Sequence, residues 1–212
     1  MRDRRPGPAA RHGARPSEER SLTEPRFVGS FPSADVLLDP PLPEVAFLGR
    51  SNVGKSSLLN ALAGRRIARL SATPGTTRTL NVYELLALYC LDLPGYGYAR
   101  AAKGDRAAFR RLMRRALERP RLAGVVWLLD IRHAPSADDR ATQDLLAARQ
   151  TPVLAALTKS DTLGRRERQR RERELGEALQ LDPEQLIVTS ARHGEGLAAL
   201  RAAIGGLVEA GR

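Results

Sequence analysis

The chain has 212 residues, enough for one core and a tail, and its 42% hydrophobic content supports a packed globule. No apolar run approaches the roughly 20 residues that cross a bilayer, and the single cysteine, Cys90, excludes an intramolecular disulfide or a thiolate metal cluster. A net charge of +11, from 35 basic and 24 acidic residues, favours a polyanion such as RNA, although arginines that merely solvate helix faces would leave the same surplus.

Residues 1–22 are rich in Arg, Pro, Gly and Ala without apolar periodicity, and read as a disordered tail. They lack the apolar stretch of a secretory signal, and Asp3, Glu18 and Glu19 argue against a transit peptide. Order is expected from near Phe27. EVAFLGRSNVGKSSLLNALAG then reads as strand, loop and helix. Its GRSNVGKS (Gly49, Arg50, Ser51, Asn52, Val53, Gly54, Lys55, Ser56) fits G-x-x-x-x-G-K-[ST] in the context that confirms a P-loop. Backbone N–H groups at a helix N-terminus cradle phosphates, Lys55 reaches the β- and γ-phosphates, and Ser56 ligates Mg²⁺.

TPGTTRT follows, and its Gly75, Thr76, Thr77, Arg78 and Thr79 suit a loop that closes over nucleotide; Thr77, in preference to Thr76, is expected to reach the metal. LNVYELLALYCLD reads as an antiparallel strand pair with little room for its turn, and Cys90 within it as a small core residue in a reducing compartment. The pair ends on Asp92, Leu93, Pro94 and Gly95, a D-x-x-G in which the acid holds magnesium through water and the Gly95 N–H meets the γ-phosphate. The next residue, where a glutamine commonly orients the attacking water, is Tyr96, which cannot do so; slow intrinsic hydrolysis is expected.

The following helix places Phe109, Leu112, Met113, Ala116 and Leu117 on one stripe, with Arg106, Arg110, Arg111, Arg114 and Arg115 around the rest, a plausible RNA contact. AGVVWLLD, TPVLAAL and QLIVTS read as buried strands, which completes an α/β, mostly parallel six-stranded sheet with helices on both faces. GRRERQRRERELGEAL between the last two is expected to be a solvated, ion-paired helix, and Leu197, Leu200, Ile204, Leu207 and Val208 an ordinary core face. TKSD (Thr158, Lys159, Ser160, Asp161) ends TPVLAAL, where a parallel sheet offers its binding crevice. A carboxylate accepts from guanine N1–H and its 2-amino group, whereas adenine presents an acceptor at N1, so Asp161 selects GTP over ATP. Lys159 lays its stem along the base, and Thr189, Ser190 and Ala191 add a backbone donor. The chain has three lysines, Lys55, Lys103 and Lys159, and two fall in these motifs although arginine is used everywhere else.

GRSNVGKSS, TPGTTRT, DLPGYGYA, TKSD and TSA, in this order and spacing, resemble the EngB (YihA/YsxC) family of bacterial GTPases, from about Phe27 to the last helix. The resemblance implies a P-loop GTPase G domain over residues 23–212 and GTP/GDP binding with Mg²⁺ on Ser56 and Thr77. It also implies a cytoplasmic role in maturing the large ribosomal subunit, linked to cell division and septation. Lys55, Asn52, Thr77 and Gly95 would serve catalysis. Asn52 further resembles the asparagine of potassium-activated GTPases, where a monovalent cation replaces an arginine finger; the alternative is that it braces the loop. The implied partner is a precursor of the large subunit, met by a monomer and without a membrane. The competing function is a regulatory switch acting on a protein of the division machinery.

Overall fold

In the computed structural model the described residues are 24–68, 79–97 and 103–211, with the backbone alone described for 103–106. The proposed tail, the loop residues Gly75, Thr76, Thr77 and Arg78, and the side chains of Lys103 and Arg106 therefore lie outside them.

Among the described residues seven strands form one sheet in the order β1-β3-β4-β2-β5-β6-β7: β1 Arg26–Phe31, β2 Glu44–Gly49, β3 Leu80–Leu85, β4 Leu88–Asp92, β5 Leu122–Asp130, β6 Val153–Thr158 and β7 Leu186–Val188. The sheet has one strand more than the six read from the sequence, because RFVGSF forms edge strand β1 antiparallel to β3. Its alternation is masked by a register shift between Phe27 and Gly29 and by a half-exposed Phe27. What holds this edge is Arg26 Nε donating to the buried Glu84 at 2.9 Å, and the Phe27 ring lying 5.4 Å from that of Tyr83.

The tight hairpin exists: Leu85 faces Leu88, leaving Leu86 and Ala87 as a two-residue turn with φ of 56° and 57°. This left-handed geometry is what a two-residue hairpin demands, and it is adopted here without glycine or asparagine. β2, β4, β5, β6 and β7 pair in parallel, so their carboxyl ends line up along one rim.

Among the described residues five helices cover the sheet: α1 Lys55–Ala63, α2 Lys103–Leu117, α3 Ala137–Ala147, α4 Arg165–Leu179 and α5 Leu197–Ala210. Alternation along β2 divides the core, since successive strand side chains point to opposite faces. Val45 and Phe47 pack with Leu58, Leu59 and Leu62 of α1 and Leu200 and Ile204 of α5. Ala46 and Leu48 pack with Leu112, Met113 and Ala116 of α2, Leu146 of α3 and Leu175 and Leu179 of α4. Arg110, Arg111, Arg114 and Arg115 of α2 are exposed, as its stripe requires. α4 carries the expected ion pairs, Arg170 to Glu174 at 2.9 Å and Arg171 to Glu174 at 3.2 Å. Cys90 is buried, and burial, then the neighbouring Asp92, pushes its thiol far up. Among the described residues no helix is long and apolar enough to cross a membrane.

Candidate nucleotide-binding site

Gly49 to Ser56 connect β2 to α1 at the carboxyl rim. Gly54 is the N-cap residue of α1 with φ of 105°, a conformation that favours glycine, and no side chain caps the helix. The first N–H groups of a helix have no intrahelical partner, so this end of α1 faces the rim as an anion site. Asn52 also has positive φ, 61°, and its carbonyl accepts from Lys159 Nζ at 2.6 Å. Bracing of the loop through Asn52 thus uses its backbone oxygen, while its exposed carboxamide has no hydrogen-bond partner among the described residues.

Lys55 and Asp92 meet at the centre, with Nζ 3.4 Å from Oδ1. That oxygen is buried and lacks a hydrogen bond among the described residues. Burial pushes the Asp92 carboxyl up from its usual range, and the Lys55 ammonium opposes this only in part. A hard cation with oxygen ligands fits such a place, given the orphaned carboxylate oxygen and the half-buried Ser56 at the start of α1.

Gly95 and Tyr96 lie against the phosphate loop. Ser51 N–H donates to the Tyr96 carbonyl at 2.9 Å and Tyr96 N–H to the Gly49 carbonyl at 3.3 Å. A Cβ at Gly95 would come within 2.8 Å of Ser51 N, so the approach requires glycine. Leu93 N–H donates to Phe47 O at 3.2 Å, which carries Leu93 and Pro94 across the rim. The Tyr96 side chain is buried.

At the other end of the rim, the Thr158 hydroxyl is buried and donates to Val53 O at 2.7 Å, tying β6 to the phosphate loop. Lys159 spans from Asn52 O to Asp130 Oδ2 at 2.9 Å. Ser160 donates to Glu195 Oε2 at 2.8 Å, and its N–H to Thr189 O at 3.2 Å. Asp161 is exposed and accepts from Ser190 Oγ at 2.8 Å, a bond that holds its carboxyl below the usual range. Ala191 is half-buried next to it. Thr79 is half-buried before β3, apart from the loop residues outside the described set.

Sequence reasoning missed Asp130 and Arg132. Burial works against ionisation of Asp130, yet hydrogen bonds from Arg132 (Nε at 2.8 Å) and Lys159 outweigh it and hold the carboxyl far below the usual range. The signal was available: Asp130 ends an apolar strand just as Asp92 does. Glu195, the acceptor for Ser160, carries no such signal.

Residues 44–159 match the family model described as a 50S ribosome-binding GTPase. The chain is 47% identical over 166 residues to a probable GTP-binding protein EngB of Gemmatimonas aurantiaca, covering 77% of this chain and 81% of that relative. Among solved structures, it is similar to a crystal structure of a probable GTP-binding protein engB, with a TM-score of 0.67 and 23% identity, covering 78% of this chain and 98% of that one. A second likeness is to Era in complex with MgGDPNP and nucleotides 1506–1542 of 16S ribosomal RNA. It has a TM-score of 0.62 and 25% identity, and covers 76% of this chain and 55% of that one.

Proposed function

Because the chain belongs to the EngB family of GTP-binding proteins, P-loop GTPases, we propose that it is a nucleotide-gated assembly factor for the large ribosomal subunit with slow intrinsic hydrolysis. GTP draws the switch segments around its γ-phosphate, the GTP-bound surface docks on precursor rRNA or ribosomal protein, and hydrolysis releases it. Failed subunit assembly would then reach cell division and septation as a downstream effect. The observation that carries the reading is proximity in the chain: the second switch, Asp92 to Gly95, shortly precedes α2, whose exposed face presents Arg110, Arg111, Arg114 and Arg115. A change at the γ-phosphate can thereby alter how a cationic face meets a polyanion.

In this reading the uncapped N-terminus of α1 and Lys55 bind the phosphates, and the Gly95 N–H senses the γ-phosphate. Ser56, Thr77 and, through water, Asp92 would hold Mg²⁺, which neutralises charge between the β- and γ-phosphates when bound. Asp161 reads guanine N1–H and the 2-amino group, with Lys159 along the base. The unengaged carboxamide of Asn52 supports a K⁺ site, so hydrolysis should be faster in potassium than in sodium; equal rates in the two salts would remove that role.

The test of function is co-sedimentation of the protein with ribosomal subunits, comparing a non-hydrolysable GTP analogue with GDP in potassium buffer. Migration with the large subunit only in the GTP state is expected, and charge reversal of the four α2 arginines should weaken it and flatten its salt dependence. Intact GTP binding without migration, on mature and immature particles alike, would favour a protein effector of the division machinery.

A further inference from the structure

Tyr96 stands where chemistry would want a glutamine, and the structure gives it a different set of partners. Its side chain is 6% exposed, and its hydroxyl is engaged twice, accepting from Trp127 Nε1 of β5 at 2.6 Å and donating to Asp139 Oδ1 of α3 at 2.8 Å. Trp127 is fully buried and Asp139 is 3% exposed, so neither polar group has water to fall back on. Asp139 is itself fixed. Its other oxygen accepts from Ser136 N at 2.8 Å and from Ser136 Oγ at 2.6 Å, the reciprocal cap of α3. The Tyr96 ring lies 6.4 Å from Phe109 of α2. Its backbone bonds to Gly49 and Ser51 of the phosphate loop.

From Asp92 at the end of β4 to this seat is a span of four peptide units, with both ends fixed. Gly95 is therefore held against Ser51 before any nucleotide arrives. We propose that Tyr96, seated by Trp127 and Asp139, is the positioning residue of the second switch, pre-ordering Gly95 for the γ-phosphate in place of a water-orienting side chain. This rests on the reading of the site as a GTP site. Its consequence is selective: an unlatched segment must be ordered when GTP binds, whereas GDP has no γ-phosphate to engage Gly95 and is indifferent to the seat.

Trp127 is the sole tryptophan, so its fluorescence reports the seat directly. The experiment measures affinities for a non-hydrolysable GTP analogue and for GDP in the full chain, with Tyr96→Phe and, separately, Trp127→Phe. Tyr96→Phe keeps the ring and removes both hydroxyl bonds. It should weaken the GTP analogue by about tenfold, leave GDP within about twofold, and shift Trp127 emission in the absence of nucleotide. Trp127→Phe leaves the bond to Asp139 and should act in the same direction, more weakly, which keeps the test decisive should Tyr96→Phe fail to fold. Equal weakening of both nucleotides, no change in either, or tighter binding of the GTP analogue would overturn the latch. Failure of the unaltered chain to bind either nucleotide would instead sink the GTP-site reading beneath it.

Discussion

At the base-reading end of the site, Thr158, Lys159, Ser160 and Asp161 each hold a hydrogen bond within the chain, to Val53, Asn52 and Asp130, Glu195, and Ser190 respectively. At the phosphate end α1 begins uncapped, and Asp92 keeps a buried oxygen without a hydrogen-bond partner among the described residues. A base-reading carboxylate has to be aimed before the base arrives, because discrimination depends on fixed geometry. A phosphate pocket can be left electrostatically incomplete, since the ligand and its cation bring the missing charges. On the proposed GTP-site reading, the guanine end is built for selection and the phosphate end for completion, and completion is what a switch can report.

The largest effect should come from Asp92→Asn. If the phosphate end is unfinished by design, this change removes a buried charge that the Lys55 ammonium offsets only in part, and on the proposed reading it also removes the carboxylate that holds Mg²⁺ through water. GTP hydrolysis should fall by about 100-fold or more, while the thermal midpoint without nucleotide at neutral pH holds or rises. The pH sign follows from burial. A carboxyl raised in the folded chain contributes stability that is complete below the ordinary carboxylate range and is lost as pH rises through the raised value. Asp92→Asn should therefore flatten that acid-side slope. A lower midpoint at neutral pH would mean that the carboxylate is already well satisfied, and the contrast between the two ends would fail.

Ser190→Ala probes the finished end. The Ser190 hydroxyl, first among the causes, holds the Asp161 carboxyl below the usual range, so the charged form that the proposed guanine contact requires persists as the pH falls. Without that hydroxyl, GDP affinity should drop about five- to tenfold at neutral pH, and the acid-side loss of binding should move to higher pH. The turnover rate at saturating GTP should stay as it was. An affinity profile that superimposes on that of the unaltered chain would show that Asp161 needs no aiming.

At both ends the motifs were legible in the sequence and their supports were not. The phosphate loop, D-x-x-G and TKSD are local signals, each set by fixed offsets within a few residues, and the buried strands announce themselves as short apolar runs. Supports that join distant segments leave no such mark. Tyr96 reaches Asp139 across 43 positions and Ser160 reaches Glu195 across 35, and neither partner stands in a motif. Strand β1 was missed for a related reason: its stability comes from Glu84 and Tyr83 on β3, not from a pattern of its own. The turn at Leu86 and Ala87 ran against local chemistry, with the sheet imposing a left-handed conformation that neither residue favours.

Asp130→Asn tests whether the two ends are separate at all. Lys159 Nζ is shared between the Asp130 carboxylate and the carbonyl of Asn52 in the phosphate loop, so weakening the first contact also loosens the second. Asparagine keeps the size and one acceptor oxygen but gives up the charge that holds the ammonium. Affinity for GDP should fall only about threefold, less than for Ser190→Ala, because Lys159 retains its backbone partner. What separates it from a base-end change is turnover. Because Asn52 belongs to the loop that cradles the phosphates, kcat at saturating GTP should also fall, by about twofold, whereas Ser190→Ala leaves it unchanged. An unaltered kcat would make the base end and the phosphate end independent. A matching fall would identify Lys159 as the strut through which the finished end steadies the unfinished one.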